Sequence, residues 1–173
     1  MHENIKTLVG RGIPVVAAAG NFSTRGVMYP AKYPEVFGIA AYSFNSNESI
    51  AEFSAIGPEI DFAAPGTNIT TTYLGNKYAI VSGTSFAAPF ISGVIALLLS
   101  SLRKQNIKLS VPEIKQKLID NCIDAGVPLF DDNFGYGIIN VKELILGVDR
   151  GKIIIKSQPN RLQSLWKKIK RLW

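Results

Sequence analysis

Cysteine, histidine and long apolar runs are scarce in this sequence, and each shortage excludes a class of protein. The single cysteine, Cys122, rules out an internal disulfide and any cysteine-rich metal cluster. The longest apolar run, Phe86 to Leu99, is too short to span a bilayer and contains Pro89 and Gly93, so it predicts a buried helix. The first residues, MHENIKTLVGRG, lack the apolar core of a signal peptide. These features leave the compartment unassigned.

Charge is also scarce in the body of the chain. Charged residues make up 18% of the 173 residues and apolar residues 47%, a balance typical of one globular domain. Seven of the 19 basic residues lie in residues 151–173, which contain no acid, and this leaves 12 basic and 13 acidic residues before them. A nucleic-acid-binding domain needs a basic stripe with stacking aromatics, which the near-neutral body lacks. We therefore expect no nucleic-acid partner.

Turn residues and apolar periodicity divide the chain into strands and helices. The segment 13–21, IPVVAAAGN, is apolar on both faces, which is typical of a central strand in a parallel sheet covered by helices. A long helix is predicted from Thr84, and Ser110 with Glu113 forms a capping box at the start of another. The other predicted elements are a helix over residues 2–10, strands at 36–41 and 49–53, a hairpin of 69–73 with 77–81 about the turn 74–76, and a short helix at 141–146.

The stretch 82–90, SGTSFAAPF, places Ser85 at the first turn of the long predicted helix. Unpaired backbone N–H groups and the positive end of the helix dipole meet there, which favours a developing oxyanion. Serine at such a position is more often only a cap. The small neighbours Gly83, Ala87 and Ala88 nevertheless leave room for a peptide carbonyl beside the hydroxyl.

Asn21 is the second candidate residue, because it lies at the carboxyl end of the predicted strand 13–21. Open α/β sheets place their ligand chemistry at that end of the strands. The side-chain amide could donate to the same oxyanion as the Ser85 N–H. The alternative is an ordinary turn residue after Gly20.

Several blocks of this sequence resemble consecutive motifs of the subtilisin-like serine peptidases. Four of them stand in the family's order and near its spacing: VVAAAGN (15–21), YPAKYPEVFGIAA (29–41), FSAIGPEIDFAAPG (53–66) and GTSFAAPFISG (83–93). FGYGIIN, residues 134–140, is similar to the segment near the end of that catalytic domain. The resemblance covers residues 1–147. It implies an α/β fold with a doubly wound, mostly parallel sheet and flanking helices, with the N-terminal part of the domain absent.

The resemblance also implies roles for individual residues. Ser85 would be the nucleophile, and Asn21 would be the oxyanion-hole side chain. Four further residues would shape the pocket for the substrate residue before the scissile bond: Ala18, Ala19 and Gly20 in its wall and Met28 in its floor. The implied substrate is a polypeptide.

The other two members of the family's triad have no counterpart here. The family order is aspartate, histidine, serine, but His2 is the only histidine, matches no family histidine motif and has no aspartate before it. Without a base, the Ser85 hydroxyl is a poor nucleophile. We therefore expect the chain alone to be inactive and an upstream or separate segment to supply both groups. A truncated or split gene, a cleavage fragment and a remnant with another use remain open.

Asp61 matches an acid that, in relatives, helps to hold a cation together with carbonyls from a block corresponding to residues 31–36. A solvated or hydrogen-bonded loop residue is the interpretation that we favour. We therefore expect no cofactor and assign no metal ligand. A structural cation such as calcium near Asp61 is the alternative.

Residues 161–173, RLQSLWKKIKRLW, have the pattern of an amphipathic interfacial helix. Their five basic residues would contribute a few kcal/mol of attraction to an anionic membrane surface, at about 1 kcal/mol each. A helix docked on its own domain and a disordered tail are the alternatives to this peripheral membrane association. Residues 148–160 are predicted to be a linker.

Two hypotheses about function follow. The first is a serine endopeptidase that hydrolyses peptide bonds by acyl transfer through Ser85, present here as the half with the nucleophile and the oxyanion hole. The second is a non-catalytic subtilase-like remnant that acts as a membrane- or partner-binding module.

Overall fold

The structure, a computed structural model, describes residues 1–44 and 49–149. The helices are α1 (His2–Gly10), α2 (Thr84–Lys104), α3 (Val111–Ile119) and α4 (Val141–Asp149), with a short 3₁₀ helix at Ser23–Arg25. The strands are β1 (Val16–Ala18), β2 (Phe37–Tyr42), β3 (Phe62–Pro65), β4 (Ile69–Tyr73), β5 (Lys77–Val81), β6 (Cys122–Ile123) and β7 (Ile138–Ile139). The predicted linker 148–160 lies largely, and the tail 161–173 wholly, outside the described residues, so both remain predictions.

Five strands form one sheet in the order β1-β2-β3-β7-β6. The first four of these strands are parallel to one another, and β6 runs antiparallel to β7. Strands β4 and β5 form a separate antiparallel hairpin. The predicted α/β class with a mostly parallel sheet is confirmed. The carboxyl ends of β1, β2 and β3 consequently lie along one edge, where β1 leads to Asn21 and β3 leads to Gly66.

The sheet is covered on both faces, because two apolar clusters lie on opposite sides of it. The larger cluster packs α2, α3 and α4 against the sheet and includes the stacked rings of Phe37 and Phe62. The smaller one contains Ile5 of α1. All six residues of β2 are buried. This explains why the strands read as continuous apolar runs without alternation.

Helix α2 is the central helix of the domain, and it is longer than the apolar run 86–99 suggests. It has 21 residues and contains Pro89 within its first two turns. By length and composition it is apolar enough to cross a membrane. Its inner face, which includes Ile91 and Leu98, is buried in the larger cluster. These contacts are those of a core helix.

Several predicted elements are confirmed. The hairpin has the predicted bounds, with Gly75 and Asn76 at positive φ in its turn. The Ser110 N–H donates to the Glu113 carboxylate at 2.7 Å, as the capping box requires.

Other predictions of elements were wrong or incomplete. The predicted strand 49–53 forms only an isolated bridge between Ile50 and Tyr42. Strand β1 is three residues long rather than nine, and the chain turns away after it at Gly20, whose φ is +118°. Strands β3, β6 and β7 were not predicted as strands, because their short pairings depend on distant residues such as Ala63 and Ile138.

Candidate functional site

Asn21 and the start of α2 are joined directly, although they lie more than 60 residues apart in sequence. The Asn21 Oδ1 accepts a hydrogen bond from the Thr84 N–H at 2.9 Å and a second from the Thr84 Oγ1 at 2.8 Å. The Thr84 Oγ1 in turn accepts from the Gly20 N–H at 3.2 Å. Thr84 therefore fixes the turn after β1 to the first residue of α2.

These hydrogen bonds also determine which way the Asn21 amide points. A backbone N–H can only donate, so the oxygen of the amide must face Thr84 and its nitrogen must face the other way. A Cβ built on Gly83 would lie 3.2 Å from the Asn21 Nδ2, so the amide nitrogen lies close to the residue that precedes α2. Among the described residues, the Nδ2 has no hydrogen-bond partner.

The Ser85 N–H is the second donor of the site. Ser85 is the second residue of α2, and the first N–H groups of a helix have no partner within it. No acceptor for this N–H is found in the part of the chain that the structure describes. Two donors without a partner in the described part of the chain, one from a backbone and one from a side chain, thus lie near the start of α2.

Two glycines allow the loops around Ser85 to approach closely. The Gly83 N–H donates to the Gly66 carbonyl at 2.8 Å, which joins the end of β3 to the start of α2. A Cβ on Gly66 would lie 2.5 Å from the Cβ of Ala41 and 3.0 Å from the Gly83 carbonyl oxygen. A larger residue at position 66 would therefore push the two loops apart.

Ser85 itself is exposed, and its hydroxyl has no hydrogen-bond partner within residues 1–44 and 49–149. His2 does not act on it in this structure. The His2 Nε2 lies 2.7 Å from the Glu35 carboxylate, and its ring stacks on Tyr33 at 4.0 Å. The hydrogen bond from His2 lowers the pKa of Glu35. His2 is thus held in a pair with Glu35.

The residues expected to bind substrate lie around the same turn. The Met28 N–H donates to the Ala19 carbonyl at 2.8 Å, and a Cβ on Gly20 would lie 3.0 Å from the Met28 Sδ. Met28 therefore packs across Gly20. Ala18 packs against the larger cluster, whereas Ala19 belongs to the smaller one and is fully buried. Their side chains face opposite sides of the sheet, so Ala19 has only its backbone to offer to a ligand. Their substrate-binding role remains a prediction.

Asp61 is buried, and protein groups occupy both of its carboxylate oxygens. The Oδ1 lies 2.6 Å from the Lys115 ammonium, and the Oδ2 accepts from the Gly38 N–H at 3.1 Å. Burial raises the pKa of Asp61, and the Lys115 charge and the Gly38 N–H partly oppose that rise. No cluster of three metal-ligating side chains is found among the described residues. The cation near Asp61 remains an untested alternative to this hydrogen-bonded pair.

Sequence reasoning missed Thr84 as a member of the site. Its side chain is 1% exposed and makes two of the three hydrogen bonds that join the loops. Its position directly before Ser85 at the start of α2 was the only signal in the sequence. That signal shows a helix start but does not identify the partner on the turn after β1.

The Subtilase family model matches residues 1–137. The chain is 49% identical over 129 residues to the thermostable alkaline protease of Halalkalibacterium halodurans, a match that covers 75% of this chain and 33% of that protein. It is 37% identical over 135 residues to subtilisin DY of Bacillus licheniformis, a match that covers 76% of this chain and 46% of that protein. It is 36% identical over 143 residues to the minor extracellular protease Epr of Bacillus subtilis, a match that covers 82% of this chain and 21% of that protein.

The chain thus spans less than half the length of each of these three relatives. The family model nevertheless covers most of the chain, including Asn21 and Ser85. On this evidence the chain belongs to the subtilase family.

Proposed function

We propose that this chain is the nucleophile-bearing part of a serine endopeptidase, with Ser85 as the nucleophile. The carrying observation is that Thr84 holds Asn21 beside the start of α2, where the Asn21 Nδ2 and the Ser85 N–H have no partner among the described residues. Membership of the subtilase family and the proteases among its relatives support the same reaction. The substrate would be a polypeptide.

In this mechanism the Ser85 Oγ bonds to the scissile carbonyl carbon while a histidine takes its proton. The electron pair of the carbonyl moves onto its oxygen, which accepts from the Ser85 N–H and the Asn21 Nδ2. Collapse of this intermediate breaks the C–N bond, and the leaving amine takes the proton from the histidine. Water then attacks the Ser85 ester by the same route and releases the acid.

The histidine and the aspartate that orients it would come from an upstream or separate segment. His2 is paired with Glu35, and no other histidine occurs in the sequence. The hydroxyl of Ser85 therefore lacks a base, and the chain alone should hydrolyse peptides at a negligible rate.

A chimera tests this proposal. Subtilisin DY in which the 135 matched residues are replaced by the corresponding residues of this chain should cleave a chromogenic peptide. The isolated chain and the Ser85→Ala chimera should not. A folded chimera as inactive as its Ser85→Ala variant would refute the proposal.

The second candidate is a non-catalytic module, favoured by one observation: the Ser85 hydroxyl has no base among the described residues. In this case the basic tail, residues 161–173, would hold the module on an anionic membrane. Co-sedimentation with vesicles rich in phosphatidylserine, with and without the tail, tests this. Equal sedimentation of the two chains would exclude a membrane role for the tail.

A further inference from the structure

The connection between β6 and β7 exposes several large apolar side chains. Ile123, at the end of β6, is 53% exposed, and Val127 is 64% exposed. We call this surface the β6–β7 patch and define it by five exposed residues: Ile123, Val127, Leu129, Phe130 and Tyr136. Clusters of exposed apolar side chains mark interaction sites on folded proteins.

Hydrogen bonds and ring contacts fix the shape of the β6–β7 patch, although most of it is loop. The Asp131 carboxylate accepts from the Val127 N–H at 3.0 Å. The Asp124 carboxylate accepts from the Leu129 N–H at 2.8 Å. The two aromatic rings of the patch meet edge to face, with their centroids 5.1 Å apart. Because the patch is preformed, little ordering of its own side chains opposes the binding of a partner.

The chain around the patch is acidic. Residues 118–141 contain no lysine or arginine and four aspartates: Asp120, Asp124, Asp131 and Asp132. None of the four is paired with a lysine or arginine within residues 1–44 and 49–149. An apolar surface with acidic residues of this kind suits a partner that is both apolar and basic.

The basic tail, residues 161–173, has the complementary composition. Its apolar residues recur at helical spacing and would form one stripe: Leu162, Leu165, Trp166, Ile169, Leu172 and Trp173. Five basic residues lie among them, and no acidic residue does. The tail therefore offers apolar side chains to the patch and positive charges to its aspartates.

The tail is also close enough in the chain to reach the patch. Helix α4 begins two residues after β7, and the Asn140 N–H before it donates to the Asn121 carbonyl, next to β6, at 2.8 Å. A helix of nine residues, such as α4, is about 13 Å long. The eleven residues 150–160 span at most about 36 Å. This connection is long enough for the tail to return to the patch.

Charge and area both favour the tail over other pairings. The exposed apolar residues of α2 and of the hairpin, such as Leu97 and Tyr78, lie within residues 62–112, which contain no acid. Five partly exposed side chains offer far less than the roughly 800 Å² per partner that a stable interface between separate proteins needs. A tethered segment can bind to a smaller surface, because its linker keeps it at a high effective concentration.

We propose that residues 161–173 dock as an amphipathic helix on the β6–β7 patch of the same chain. The apolar stripe packs against Val127 and Phe130, and the basic residues lie near the exposed carboxylates of Asp120 and Asp132. The inference is independent of the proposed peptidase function, since the site around Ser85 takes no part in it.

Tryptophan fluorescence reports this docking, because both tryptophans of the chain, Trp166 and Trp173, lie in the tail. Docking buries their indole rings. Acrylamide should therefore quench the emission of the full chain about threefold less than that of the patch variant Val127→Lys/Asp132→Lys. Equal quenching of the two proteins would overturn the docking.

The matched control is Leu74→Lys/Glu52→Lys. It also replaces one exposed aliphatic residue and one exposed acid by lysine, but at positions outside the patch. Its emission should be quenched as in the wild type. Quenching as strong as in the patch variant would show a general effect of charge and would overturn the docking.

A disulfide trap locates the tail without adding charge to the patch, so it decides the question even if the patch variant fails to fold. All trap proteins carry Cys122→Ala. Under mild oxidation, Val127→Cys with Leu165→Cys should form a disulfide within one chain. Leu74→Cys with Leu165→Cys should not. Equal yields from the two pairs would overturn the assignment of the tail to the patch.

Other occupants of the patch and other sites for the tail give distinct results. A disulfide between two chains, with sedimentation as a dimer, would show that a second copy supplies the tail. Tryptophans that are protected only after vesicles rich in phosphatidylserine are added would show that the tail binds an anionic membrane instead. Either result would overturn docking within the chain.

Discussion

The proposed function gives the Asn21 amide a chemical role beside its structural one, and two substitutions separate the two roles. Asn21→Ala removes the acceptor of two hydrogen bonds from Thr84, which is almost fully buried. At about 1 kcal/mol for each bond, the free energy of unfolding should fall by about 2 kcal/mol. Gly83 provides no side-chain cap, so nothing nearby on the helix replaces the lost acceptor.

Asn21→Asp keeps the acceptor and removes the amide donor. A carboxylate at the positive end of α2 is also favoured by the helix dipole, so the free energy of unfolding should stay within about 0.5 kcal/mol of the wild type or rise. In the chimera, turnover should nevertheless fall about 10²–10³-fold, a magnitude known from subtilisin itself rather than worked from this structure.

Urea unfolding followed by circular dichroism measures the first effect, and peptide hydrolysis by the chimera measures the second. The reasoning would be refuted if both substitutions destabilised the chain equally. It would also be refuted if Asn21→Asp left turnover unchanged.

Three further substitutions or treatments test the remaining structure. Leu98 is fully buried, and Leu74 is 82% exposed. In urea titrations, Leu98→Ala should therefore lower the free energy of unfolding by about 2–5 kcal/mol. Leu74→Ala should change it by less than about 0.5 kcal/mol. Burial raises the pKa of the Cys122 thiol to about 12. Ellman's reagent near neutral pH should therefore titrate this thiol only in concentrated guanidinium. Rapid reaction of the native chain would contradict this. Burial raises the pKa of Asp61 above its ordinary value of 3.8, so the folded state holds that proton more tightly than the unfolded state. The free energy of unfolding of the wild type, minus that of Asp61→Asn, should therefore fall as pH rises from 3.8 through the folded pKa. A rise in this quantity over the same range would show that the Lys115 pair outweighs burial.

The sequence predicts well what neighbouring residues determine. The hairpin follows from its turn, where Gly75 and Asn76 adopt positive φ, and the start of α3 follows from the Ser110 and Glu113 pair. Asn21 and Ser85 could be chosen as candidates from the elements that precede or follow them.

Features that depend on distant partners could not be predicted in this way. Strand β7 has two residues and pairs with β3 across 75 positions, at Ala63 and Ile138. The Lys115 ammonium meets Asp61 only because α3 packs beside the sheet. The role of Thr84 requires the turn after β1 to lie against α2, which no local pattern encodes.

The most direct test of the catalytic assignment is mass spectrometry of the chimera after reaction with a fluorophosphonate. We predict one adduct per chain, on Ser85, formed at least 100-fold faster than in the isolated chain. A folded chimera that binds a peptide substrate but carries no adduct on Ser85 would contradict the assignment of this serine as the nucleophile.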